Sequence, residues 1–215
     1  MNKNLIIILA RKGTKNITRQ NIRIVNGKPL IYYIIKKCQE ISSADIFIST
    51  DSEEIKELAT LYGVKWVNRP NKLTKDNTPI EKIVYDSLIQ LEKDNINYKK
   101  CLVLNPHYPL IKIETIKKFF SKLNNKINTI YGFEKDNEIE YNQINKKQKL
   151  KSIKNNIVEK WKIVSFNCKP FLLEEKFNGS KYGVELKKEE KFSPESYHDF
   201  SNLENILGRK KILVR

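Results

Sequence analysis

LIIILARKGTKNITRQNI, residues 5–22, decides the fold. Leu5 to Leu9 form an unbroken run of apolar β-formers, the pattern of a strand covered on both faces. The run ends in a loop crowded with Arg, Lys, Gly, Thr and Asn. Gly13 permits close backbone approach, and the amides around Gly13 and Thr14 can cradle a phosphate. Arg11 and Lys15 would neutralise it, and Asn21 would hydrogen-bond a sugar or base. The loop has neither a GxGxxG nor a complete Walker signature, which excludes two common phosphate loops.

Working outward, strands and helices alternate. NGKPLIYYIIKKCQEIS (26–42) reads as a helix with Ile31, Ile34, Ile35 and Cys38 on one face. DIFIST (45–50) is a strand, and DSEEIKELATLYG (51–63) a helix with Asp51 as its expected N-cap and Gly63 as its stop. VKWV, CLVL and NTIYGF follow as strands, separated by helices opening at Thr78–Pro79 and at IETIKKFF. This alternation predicts an α/β fold, a Rossmann-like, doubly wound and mostly parallel sheet with ligands at the carboxyl ends of its strands. From about residue 134 the pattern degrades, although WKIVSF and YGVEL read as strands, PFLLEEKF as a short helix and FSNLENILGRK as a last helix. One domain over 1–215 is expected, with an irregular extension over about 134–190 as a dimerisation element.

Composition bounds the function. The chain has 215 residues, 41 Lys+Arg against 25 Asp+Glu, and a net charge of +16. Most of the cations are Lys spread over the whole chain, whereas a nucleic-acid binder gathers them on a stripe with aromatics between. The excess reads as solvated surface that steers anions. Arg11, Arg19 and Arg23 instead cluster in or beside the opening loop, and Arg grips phosphate with a bidentate fork. No apolar run approaches the roughly 20 residues of a membrane span. Cys38, Cys101 and Cys168 lie in apolar patterns without disulfide or metal spacing, so buried thiols and a cytoplasmic location are expected. Trp66 and Trp161 read as core or interface packing residues, and His107, after a strand, as either a substrate contact or a satisfied loop histidine.

ARKGTKNITRQN followed by GKPLIYY resembles the N-terminal signature of the acylneuraminate cytidylyltransferases, the CMP-sialic acid synthetases. The resemblance continues through STDSEEI, YGV, and NRP with a downstream Asp76-x-Thr78, and covers about the first 110 residues. It implies transfer of CMP from CTP to the anomeric hydroxyl of an acidic nonulosonic sugar, with pyrophosphate leaving and Mg²⁺ assisting. 3-Deoxy-manno-octulosonate or another sugar nucleotide chemistry is the enzymatic alternative, and a nucleotide-binding homologue without turnover the non-enzymatic one. By matching positions, Leu9, Ala10, Arg11, Gly13, Thr14, Lys15, Asn21, Arg69 and Thr78 would line the nucleotide site. Arg11, Lys15 and Gln20 would form the catalytic set, with Asn105 and Tyr108 at the sugar and Asp199 at the metal. A homodimer is likewise implied. The chain departs from the signature in three places. Gln20 stands where the family carries a cation, with Arg19 one place before it. NPHYPLI (105–111) stands for Q-P-T-S-P-L-R, and Ser196 and His198 occupy the late acidic motif beside Asp199.

Overall fold

The computed structural model describes residues 4–13, 17–133 and 163–212. The apolar run forms β1 (Asn4–Leu9) at the centre of a seven-stranded sheet. Its neighbours are β4 (Ala44–Thr50) on one side and β6 (Lys100–Leu104) on the other, both parallel to it. A two-stranded ribbon, β2 (Ile24–Val25) and β3 (Lys28–Pro29), precedes helix α1 (Leu30–Gln39). Asn26 and Gly27 at its tip both have positive φ, as a tight two-residue hairpin requires.

Beyond β4 come α2 (Glu53–Leu61), the edge strand β5 (Lys65–Asn68) and α3 (Ile80–Lys93). Beyond β6 come α4 (Ile113–Ser121), β7 (Thr129–Phe133), β8 (Val164–Asn167), α5 (Cys168–Glu174), β9 (Lys181–Glu185) and α6 (Tyr197–Ile212). The strand order is β5-β4-β1-β6-β8-β7-β9, with β8 alone antiparallel to its neighbours. The winding reverses between β1 and β6, so the crevice at the carboxyl ends of those two strands is the switch point where such sheets take ligands.

Both faces are covered, as LIIIL predicts. Ile6 and Ile8 pack with α1, α2 and α4 through Ile34, Ile35, Ile55, Ile116 and Phe119. Leu5 and Ile7 pack on the other face with Val84, Leu88 and Leu91 of α3 and Phe171 of α5. A third cluster, Ile17, Val25, Leu30, Leu110, Phe200 and Leu203, docks α6 onto the opening loop. The three cysteines are buried free thiols, and burial pushes Cys38 and Cys168 up to about 12. Among the described residues no helix is long and apolar enough to cross a membrane.

Four readings change. Part of the expected extension joins the central sheet, since β8 and β9 are two of its strands with α5 between them in the chain, while 134–162, Trp161 among them, fall outside the described residues. Apolar side chains expected to serve the extension are core: Val164, Phe166, Phe171 and Phe177 are buried. Trp66 is 42% exposed, because β5 is the sheet edge, and Lys56 Nζ sits 4.7 Å above its ring. The N-cap of α2 is Ser52, and Asp51 is turned elsewhere.

Phe166, Phe171 and Phe177 form a ring cluster with centroids 4.5–5.2 Å apart. Phe166→Ala should therefore destabilise the protein by about 3–5 kcal/mol, read as a lowered denaturation midpoint.

Candidate functional site

One backbone bond and two side-chain bonds shape the exit of β1. Ala10 N donates to Ser49 O at 3.1 Å, continuing the β1–β4 pairing past the strand end. Lys12 N donates to Asp51 Oδ1 at 2.7 Å. The Arg11 carbonyl accepts Asn21 Nδ2 at 2.8 Å, so the loop closes on its own start. Asn21 is buried, and its Oδ1 has no hydrogen-bond partner among the described residues. A side chain added at Gly13 would meet no described atom within 4 Å, which leaves the loop open for close approach of a ligand.

Arg11 reaches the loop before α3. Its Nη1 donates to Thr74 O at 2.9 Å, and Nη2 pairs with the Asp76 carboxylate. Arg69, leaving β5, is 4% exposed, with Nη2 donating to Ser49 O at 2.8 Å and Nε to Ser49 Oγ at 3.4 Å. Ser87 Oγ of α3 also reaches Ser49 Oγ, at 3.2 Å. Burial lowers the Arg69 pKa to about 10; Asp51 beside it raises it, and Arg11 lowers it further. The guanidinium stays charged at neutral pH, so the crevice holds two fixed cations at its floor. Thr78 is half-buried just before α3, its N donating to Lys75 O at 3.1 Å.

The expected nucleotide-site residues thus divide. Arg11, Gly13, Asn21 and Arg69 surround the carboxyl end of β1. Leu9 and Ala10 pack into the cores on opposite faces, leaving Ala10, which is fully buried, only its backbone to offer. Thr14 and Lys15 lie outside the described residues. The arginine cluster disperses: Arg19 is paired with Glu54 at 2.7 Å, and Arg23 lies over the rings of Tyr197, at 4.3 Å, and Phe200, at 5.5 Å. Gln20 is 4% exposed and donates through Nε2 to Pro194 O at 2.6 Å.

On the β6 side, Asn105 Oδ1 accepts His107 N at 2.9 Å, shaping the loop. Tyr108 is 7% exposed and belongs to the core on the α1 and α4 face. Asp199 Oδ2 accepts from Glu195 N at 3.0 Å, Ser196 N at 2.8 Å and Ser196 Oγ at 2.8 Å. With Asp199 N returning to Ser196 Oγ at 3.2 Å, the pair makes a reciprocal cap for α6. The Ser196 hydroxyl first, then the two amides, hold its carboxyl below the usual range.

Sequence reading missed Asp51, Ser49 and Ser87 as site residues. Only the position of STDS at the end of a parallel strand signals Ser49 and Asp51, nothing in the helix around Ser87 signals that residue, and helix capping accounted for Asp51 too readily. Asp51→Ala should raise the exchange rate of the Lys12 amide severalfold, whereas Asp51→Asn, which keeps an acceptor oxygen, should preserve most of its protection. Amide hydrogen exchange resolved to this loop checks both.

Residues 5–210 match the family model described as Cytidylyltransferase. The chain is 34% identical over 116 residues to the CMP-N,N'-diacetyllegionaminic acid synthase of Legionella pneumophila, covering 53% of this chain and 50% of that one. It is 35% identical over 122 residues to the pseudaminic acid cytidylyltransferase of Campylobacter jejuni, covering 56% and 53%. The N-acylneuraminate cytidylyltransferase of Streptococcus agalactiae is 32% identical over 119 residues, covering 54% and 28%. The aligned part is about half the length of the first two of these relatives, or less. A CMP:2-keto-3-deoxy-manno-octonic acid synthetase structure superposes with a TM-score of 0.70 over 97% of this chain and 100% of that one, at 12% identity. A 4-diphosphocytidyl-2C-methyl-D-erythritol synthase from Anaerococcus prevotii gives 0.66 over 96% of each chain, also at 12% identity. These two fix the fold, and the family match does the rest: the chain belongs to the cytidylyltransferase family.

Proposed function

We propose that the protein transfers CMP from CTP to the anomeric hydroxyl of an acidic nonulosonic sugar. The observation that carries the reading is Arg11, fixed at the β1–β6 switch point beside buried Arg69 in a chain of this family. The printed names of the three relatives above concern legionaminic, pseudaminic and acylneuraminic acids, which favours a nonulosonic acceptor over 3-deoxy-manno-octulosonate.

In this mechanism the bond from the sugar oxygen to the α-phosphorus forms as the bond to the β-phosphate oxygen breaks. Such transfer depends mainly on positioning and charge neutralisation. Arg11 and Lys15 hold the phosphates, Asn21 and Thr78 orient the nucleoside, and Asn105 faces the sugar with the backbone around Tyr108. Gln20 completes the loop. Arg69 holds the end of β4 through Ser49 and adds a fixed positive charge.

Among the described residues no three His, Cys, Asp or Glu side chains gather as a ligand set. An Mg²⁺ ion carried by the nucleotide would need only one or two carboxylates beside phosphate oxygens and its own waters. Asp199 fits as one such contact, since it remains a carboxylate and its hydrogen bonds gather on Oδ2. The ion's contribution would be to neutralise the departing pyrophosphate. A cytoplasmic location agrees with the three buried free thiols.

Pyrophosphate release, measured with the four nucleoside triphosphates against nonulosonic acids, should show turnover with CTP. CTP should also raise the denaturation midpoint more than ATP, GTP or UTP. Equal shifts for all four would replace base recognition with general anion binding. Arg11→Ala should cut turnover about a hundredfold to a thousandfold while leaving the fold intact, and full activity in that variant would move the phosphates elsewhere.

We further propose a closed two-fold homodimer, the commonest assembly among soluble oligomers. Leu173 of α5, 77% exposed, offers an apolar contact. Sedimentation at micromolar concentration should give twice the chain mass, and a monomer would overturn the assignment.

A further inference from the structure

We propose that Gln20 is a positioning residue, a tether that locks the C-terminal arm to the nucleotide loop and through it fixes Arg11. This rests on the function proposed above, and deepens it at a residue where the family signature carries a cation.

The arm, residues 187–208, lies across the opening loop and is fastened at several points. Phe200 and Leu203 enter the third apolar cluster with Ile17, Val25 and Leu30. Arg23 stacks on Tyr197. Asn26 N and Nδ2 donate to Glu204 Oε1 and O at 3.2 and 2.9 Å. Glu190, fully buried, accepts Lys112 N at 2.8 Å and Lys187 N at 3.0 Å, which ties the arm to the end of the 105–111 loop. Within the opening loop itself, Gln20 makes the polar side-chain contact with the arm, at Pro194 O.

What singles out Gln20 is its neighbour. Residues 20–22 form one tight helical turn. Gln20 reaches from it to the arm, while Asn21 reaches from it to the carbonyl of Arg11. Adjacent side chains of one turn therefore connect the arm to the backbone of the principal phosphate-binding residue. The turn starts at Arg19, whose φ of 57° is left-handed and unfavourable for a non-glycine residue. A segment so strained stays in place only where its surroundings over-determine it, and the two buried amides supply that constraint. A neutral donor suits this position. The partner on the arm is a carbonyl in a buried site, which a neutral amide donor meets without the desolvation cost of a buried cation. The absent charge is then a change of task for the position.

The experiment uses Gln20→Met, which keeps the volume and loses the donor, and Gln20→Glu, which turns it into an acceptor facing a carbonyl. In the ligand-free protein, amide exchange at Ile22, Arg23 and 195–199 should quicken about tenfold in both. The denaturation midpoint should stay well above the assay temperature. With CTP, KM should rise about tenfold, because the loop must be ordered at binding, while KM for the sugar holds. Gln20→Lys should not improve kcat/KM for CTP.

Unchanged exchange in both variants overturns the tether. So does a gain in kcat/KM from Gln20→Lys, which would assign the position a role in charge. A fall in kcat with both KM values constant would assign Gln20 to the transition state itself and likewise overturn the positioning role. If the unsubstituted protein neither binds nor turns over CTP, the proposed function fails, and the exchange measurement in the ligand-free chain still decides the tether.

Discussion

Everything at the crevice depends on β1 being held on both edges and both faces. Parallel ladders to β4 and β6 fix its register, and Leu5, Ile6, Ile7 and Ile8 alternate between two cores. A strand so confined cannot slide by a residue without turning each core side chain into the wrong layer. Its last residues are therefore delivered to one place, and Arg11 leaves the sheet with its direction already set. The floor of the crevice is built in the same way from the end of β4, where Ser49 offers its carbonyl to Ala10 and Arg69 together.

Much of this fold was legible because apolar periodicity is a local signal. LIIIL, DIFIST and CLVL are short runs of β-formers, and α1 repeats Ile31, Ile34, Ile35 and Cys38 at helical spacing. Pro29 and Gly63 mark real boundaries, the first at an N-cap and the second at positive φ. What was not legible came from pairing at long range. Nothing in WKIVSF announces that its residues 164–166 insert antiparallel between β6 and β7, since strand order depends on partners distant in sequence. Nor does Gly132 advertise itself. A Cβ there would lie 3.2 Å from the Phe119 ring, so the residue exists to let α4 press onto β7.

The site divides along the same line. Residue type and strand-end position pointed to Arg11 and Asn21, because a cation or an amide at such an exit has few structural reasons to be there, whereas Arg69 came from the family resemblance alone. Arg19 and Arg23 share the loop's composition, but their side chains go to Glu54 and to the Tyr197 ring. Counting charges in a segment says nothing of where each side chain points. Gln20 shows the complement: read against a signature it is a missing cation, and in the fold it is a buried donor. Asp199 carries a capping role that the run of letters around it does not distinguish from a ligand.

The Arg11–Asp76 pair has a consequence for selectivity. The carboxylate is part of the same molecule, so it meets the guanidinium at the high effective concentration of a tethered partner. A small free anion must compete with that local partner through a single contact, and at ordinary concentrations it is at a disadvantage. A polyphosphate that also engages neighbouring amides and a second cation gains from several contacts at once. Under the proposed function, an internal counter-ion of this kind would discourage occupation by stray phosphate or sulfate and favour ligands of higher valence.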